Sequence, residues 1–312
     1  MAERPVLNRE EDAVAEPQQV SALTRSRTRT AWLLLIPTLF IVAVVAAFPL
    51  GQTIYLSFTN ERLADLRGPE WTGLENYRRL VQDSTFRNTI WVTLRFTLIT
   101  ITAEFLLGLI VALVVHSQFK GRGLMRTAML VPWAIPTVVS AQMWAWMYND
   151  IYGVFNDLLN RRLGLIDRNI AWIADPDFAL WSVAAVDIWK TTPFVALLLL
   201  AGLQVIPEDI YEAARVDGAN KIQQFFKITL PLLVPAIVVT LIFRTLDSLR
   251  VFDVFYVMFG ARRDTMPMAV YAQNTIVAFS RTGYGSAIAV AIFLIIAVFV
   301  VIYVTTLRVE RS

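Results

Sequence analysis

Seven ionisable side chains sit where ionisation is expensive. Glu104, Asp187, Lys190, Arg244, Asp247, Arg250 and Asp253 all fall within long apolar runs. A charge carried into hydrocarbon is tolerated when it faces a cavity or a partner. Arg244, Asp247, Arg250 and Asp253 recur every three residues, which places them on one stripe of a helix. Alternating signs along such a stripe have two uses. They can form a self-neutralising ladder that holds helices together, or they can offer carboxylate acceptors and guanidinium donors to the hydroxyls of a polar, uncharged solute. The residues leave both readings open. Asp187 and Lys190 have the same spacing and can pair with each other. Asn274 and Gln142 are weaker candidates, able to touch a solute or to hydrogen-bond between helices. Arg95, near the end of its run, can snorkel to the interface, and His116 reads as a boundary residue.

Other chemistries lack their parts. The chain has no cysteine, which excludes disulfides, thiol catalysis and thiolate metal sites. Its one histidine supplies neither a histidine-based metal cluster nor a Ser-His-Asp relay. No Gly-x-x-x-x-Gly-Lys-Ser/Thr phosphate loop occurs. The acids Asp150, Asp157, Asp167, Asp175 and Asp177 are scattered without a partner motif. No catalytic residue, bound cofactor or metal site is therefore expected. An ion-coupled carrier built from repeated halves finds no internal repeat to support it.

A second feature lies in the polar connection over residues 205–228. Glu208 and Asp209 suit the positive end of a helix dipole, Pro207 the first helical position, and Gly218 a left-handed stop. A short helix is expected there, followed by a second from about Asn220. Ile210, Ala213, Ala214 and Asp217 then share one face. The paired alanines keep that face thin, so another surface can approach closely, and Glu212 is left to reach a basic partner.

These groups must be held by membrane helices. Of 312 residues, 56% are hydrophobic and 17% charged, against about a quarter charged in soluble domains. Six runs approach the roughly 20 residues that cross a bilayer: 31–50, 89–115, 124–147, 180–203, 228–255 and 287–307. Several contain proline, which membrane helices tolerate when neighbours satisfy the freed carbonyls. The expected class is an all-α integral membrane bundle of six helices. Residues 1–30 are polar, without apolar period, and read as a disordered tail rather than a signal peptide. Arg25, Arg27 and Arg29 precede the first run, and Lys120, Arg122 and Arg126 crowd the second connection. Outer basic residues are spread over longer loops, so both termini are expected in the cytoplasm of a bacterial cell. The net charge of +3 is distributed as loops beside a membrane would carry it, and no nucleic-acid partner is expected. Trp172, Trp181 and Trp189 suit the membrane interface better than solute stacking.

Glu212-Ala213-Ala214, then Gly218, then nine residues, then Ile228, Leu230 and Pro231 resembles the EAA signature of permease subunits of binding-protein-dependent ABC importers. The string from Ile206 to Phe225 is similar to the sugar branch that includes maltose and glycerol-3-phosphate permeases. Phe105–Leu109, Pro132-Trp133-Ala134-Ile135-Pro136, Trp189–Phe194 and Phe252-Asp253 agree with it. Where that family often carries a glycine-rich turn, this chain reads Met258-Phe259-Gly260-Ala261-Arg262-Arg263-Asp264. The resemblance implies that residues 31–312 form a type I ABC importer, maltose permease-like, transmembrane domain. It implies that Glu212, Ala213, Ala214, Asp217, Gly218, Ile228, Leu230 and Pro231 couple it to a separate ATPase. It implies a second permease subunit, two ATPase subunits carrying ATP and Mg2+, and an extracytoplasmic sugar-binding lipoprotein. The implied cargo is a sugar, with a disaccharide such as trehalose expected. Asp247, Arg250, Asp253, Asp187, Lys190 and Asn274 are the groups available to line its path.

Overall fold

The structure is a computed structural model that describes residues 22–63, 65 and 68–306. The chain divides into two compact units, residues 1–52 and 53–312. In the first, α1 (Ala22–Val42) passes through a π-helical turn at Ala43–Ala47 into α2 (Phe48–Ser57). From Arg27 to Ser57 this helix is apolar and long enough to cross a bilayer. The tail expected over residues 1–30 is corrected in part. Residues 1–21 lie outside the described residues, but Ala22–Thr30 are helical. No glycine or proline stands between Ala22 and Pro37, so the helix imposed by the apolar run extends back through them.

The second unit takes in the end of α2, then α3 (Glu75–Gln82) and the long α4 (Ser84–His116). Next come α5 (Arg122–Met129), α6 (Val131–Ala134) and α7 (Thr137–Met147). A short α8 (Val154–Asn156) runs into a π-helical turn before α9 (Pro176–Val205). α10 (Glu208–Val216) is separate, whereas α11 (Lys221–Gln224) continues through a π-helical turn at Phe225–Thr229 into α12 (Leu230–Leu249). α13 (Asp253–Phe259), α14 (Met268–Val277) and α15 (Thr282–Thr306) complete the chain. Among the described residues the only β-type pairing is one isolated bridge, Thr59 with Trp71.

Among the described residues five helices are long and apolar enough to span a membrane, or six if a bent pair counts as one span: Arg122–Ala134 and Thr137–Met147 meet at 86°. The expected continuous run over 124–147 is thus interrupted. Ile135 precedes Pro136 and is forced out of the helical region, to φ −71° and ψ 132°. The fifth run departs from expectation at both ends. It starts at Lys221, and its helix stops at Leu249 before resuming at Asp253. Its start is set by a capping box: the Asn220 side chain accepts from the Gln223 amide, and the Gln223 side chain accepts from the Asn220 amide.

α4 and α9 form the most extensive helix pair, with α12 packed on both and α15 on α14 and α12. Lipid tails are as apolar as the side chains, so close packing and interhelical hydrogen bonds must hold the bundle. Both are present. Gly108 lets α4 approach Val195 on α9, and Gly202 lets α9 approach Ala236 on α12. Ser248 on α12 donates to Thr97 on α4 at 3.0 Å. Phe96 and Phe255 meet edge to face at 4.9 Å inside the core. At the other end of α4, Asp83 caps the helix through the amides of Thr85 and Phe86. It also accepts from the hydroxyls of Tyr271 and Tyr284.

Candidate functional site: a polar cleft and an exposed helix

A cleft of about 840 Å³ opens between α6, α9, α12, α13 and α15. Asp187, Lys190, Asp247, Arg250 and Asp253 line it. Asn274 does not; it lies on α14, away from the cleft. One wall is aromatic: Trp133, just before the kink, stacks on Phe194 at 5.6 Å and 10°. Lys190 donates to the Trp133 carbonyl at 3.1 Å, which satisfies a carbonyl freed by the broken span. Lys190 does not pair with Asp187 as its spacing allows.

Asp187 instead meets Arg244. That guanidinium, 3% exposed, donates to both oxygens of the fully buried Glu104 at 2.7 and 3.0 Å. It also donates to Asp187 at 3.1 Å and to Asp247 at 2.6 Å. Buried charge is tolerated when paired and hydrogen-bonded, and this cluster ties α4, α9 and α12 together. The ladder reading therefore holds for Arg244, but the ladder does not run on to Asp253. Arg250 and Phe252 leave helical geometry, at φ −108° and −134°. The interruption turns α13 so that Val254 and Phe255 enter the core. Asp247 and Arg250 remain 62% and 70% exposed at a separation of 4.0 Å, open to the cleft.

The second feature is α10. Glu212, Ala213 and Ala214 lie on it, and Asp217 is its C-cap. Gly218, at φ +80°, takes the left-handed position that favours glycine. The Gly218 amide donates to the Arg215 carbonyl and the Ala219 amide to that of Ala214, a Schellman stop. Pro207 sits one place earlier than expected, as the N-cap. Ile210, Ala213 and Asp217 are exposed and Ala214 partly so, so the thin face is uncovered. Among the described residues Glu212 pairs with Arg215, at 3.5 Å on the surface. The Tyr211 hydroxyl is 2.9 Å from that of Thr229, joining α10 to the π-helical turn that holds Ile228; Leu230 and Pro231 open α12.

Elsewhere, the loop that departs from the glycine-rich pattern is tied down. Arg262 donates to the Ile173 carbonyl at 2.6 Å and Arg263 to Thr85 at 2.8 Å. Trp172 and Trp189 pack in aromatic clusters, whereas Trp181 is exposed. Sequence reasoning missed the partner of Glu104, although a lone acid in the middle of an apolar run was itself the signal.

The family described as binding-protein-dependent transport system inner membrane component matches residues 104–310. The trehalose/maltose transport system permease protein of Thermococcus litoralis is 38% identical over 297 residues, covering 94% of this chain and 98% of that one. The sulfoquinovosyl glycerol transport system permease protein of Agrobacterium fabrum is 41% identical, covering 89% and 90%. The trehalose transport system permease protein of Mycobacterium tuberculosis is 38% identical, covering 88% of each chain. A crystal structure of a bacterial ABC transporter involved in alginate import has the same fold, with a TM-score of 0.79 at 23% identity, covering 92% and 98%. The relatives match over nearly their whole length, the family model spans all the elements just described from Glu104 onward, and the chain accordingly belongs to the binding-protein-dependent transport system inner membrane components, as a multi-pass permease subunit of an ABC importer.

Proposed function

We propose that this subunit forms half of the translocation path for a neutral disaccharide, trehalose or a close analogue, with the cleft beside α12 as its share of that path. The observation that carries the reading is the gathering of five separately chosen polar residues around one cleft faced by a stacked Trp133–Phe194 pair. Sugar hydroxyls take carboxylate acceptors and cationic donors, and their C–H faces take aromatic rings. Lining acids (Asp187, Asp247, Asp253) and lining bases (Lys190, Arg244, Arg250) balance, three against three, with Glu104 buried behind them. Such a wall favours an uncharged solute. Two of the relatives are named for trehalose, which supports that choice of sugar.

The loop over residues 205–228 is read as the docking element for a separate ATPase that binds ATP and Mg2+, with both termini on the same, cytoplasmic side. A second permease subunit would close the cleft, and an external binding protein would deliver the sugar. Copurification from membranes with all partners, followed by ATPase assays over a panel of disaccharides, tests this. Trehalose should stimulate hydrolysis, and Asp247→Ala should weaken uptake while the complex still assembles. Absence of an ATPase partner, or stimulation by none of the disaccharides, would refute it.

A further inference from the structure

The cleft has a support that does not face it. Glu104 on α4 is 0% exposed and is absent from the cleft lining. Both its oxygens are occupied by Arg244, in the two-pronged geometry that fixes orientation as well as distance. With its bonds to Asp187 and Asp247, Arg244 has committed four of five N–H donors. Each acid keeps acceptor capacity. Asp187 also takes a 3.4 Å contact from Thr191 and a carboxyl–carboxyl contact with Glu104, and the second oxygen of Asp247 stands 4.0 Å from Arg250.

An unrestrained arginine in this wall would swing across the acids or into the path, and either would consume the acceptors a sugar needs. We infer that Glu104 is a positioning residue: by holding Arg244 back in the wall, it presents Asp187 and Asp247 as fixed acceptors for the hydroxyls of a neutral sugar. This rests on reading the cleft as the sugar path. A mere brace between helices would use the same bonds, but the two roles differ in what can replace them. A buried ion pair can often be exchanged for well-packed apolar residues without loss of stability. A device that orients carboxylates cannot.

The test uses the complete importer, with its ATPase and binding protein, reconstituted in liposomes and supplied with radiolabelled trehalose or maltose. Glu104→Gln and the double variant Glu104→Leu/Arg244→Met are compared with Glu104→Asp. Assembly should persist in all three, and basal ATPase in Glu104→Gln and Glu104→Asp. The maximal uptake rate should fall about tenfold to a hundredfold in Glu104→Gln and in the double variant. The half-saturating concentration of loaded binding protein should not change, and Glu104→Asp should recover part of the rate. Unchanged uptake in the double variant, or loss of assembly in every variant, would mean that the pair only braces the bundle. An unmodified importer that moves neither sugar would overturn the underlying sugar reading instead.

Discussion

Replacing Asp83 with alanine removes a junction in which one carboxylate serves three helices. Its Oδ1 caps α4 through Thr85 and Phe86 at 2.8 and 3.3 Å, and its Oδ2 accepts from Tyr271 and Tyr284 at 2.5 and 2.7 Å. Loss of the cap costs about 1 kcal/mol. Tyr284, 6% exposed, would lose its bond to a charged acceptor and keep the neighbouring Tyr271 hydroxyl, at about 1–3 kcal/mol. Tyr271 is half-buried and can turn to water, so its share is smaller. A total of about 2–4 kcal/mol follows, or a fall of roughly 4–8 °C in the melting temperature of the solubilised protein. Burial pushes the Asp83 carboxyl up, but the two tyrosine hydroxyls and the Phe86 and Thr85 amides outweigh it, so its pKa lies below the ordinary 3.8. A folded-state pKa that is lowered gives stability that is complete above the unfolded value and drains away as pH falls through the folded one. Burial and the neighbouring carboxylate push the Tyr271 phenol up to about 12, so it remains a donor throughout. Melting temperatures of the natural protein and of Asp83→Asn, followed from pH 8 downward, should differ by a constant amount until pH drops below the ordinary 3.8. A gap that closes already between neutral pH and about pH 5 would refute the reasoning, because the carboxyl would then be titrating above its usual range.

Gly202→Ala would put a methyl 2.4 Å from the Ala236 Cβ and 2.8 Å from a Leu233 methyl. The overpacking, about 1–3 kcal/mol, should exceed the helix-propensity gain of about 1 kcal/mol, and Ala236→Gly should restore thermal stability in the double variant. Gly218→Val would place a β-branched residue at φ +80°, costing about 1–2 kcal/mol locally. Sugar-stimulated ATPase activity should fall while the permease subunits still copurify.

The spans were legible because length and apolarity decide a membrane helix with little help from context. α10 was legible for a different reason: its acids, its alanine pair and Gly218 are local instructions, and each acts within a few residues. Pairing across the bundle was not legible. Glu104 and Arg244 are 140 residues apart, and nothing in either segment says which charge will face the other. Spacing also misled where tertiary packing won. Asp187 and Lys190 have the right interval for a pair, yet Arg244 takes the acid and the Trp133 carbonyl takes the lysine. The break at Arg250–Phe252 carries neither proline nor glycine, so no breaker announced it; burial of Val254 and Phe255 sets it.

That break also bears on how the two functional features are joined. From the Asn220 cap the chain is helical through α11, the π-helical turn and α12, so the base bonded to α10 through Tyr211 and Thr229 belongs to the same rod that carries Arg244 and Asp247. A helix is stiff along its axis, and this one runs, with a π-helical turn and Pro235 inside it, from the contact with α10 to the cleft, ending at Leu249. Beyond it, α13 is anchored in a separate aromatic core by Phe255 against Phe96. Relative motion between rod and anchor must then fall on Arg250–Phe252, between Asp247 and Asp253 in the cleft wall. If α10 is the docking element proposed above, motion at the base of this subunit is expected to change the spacing of Asp247 and Asp253 rather than the packing of the bundle around them.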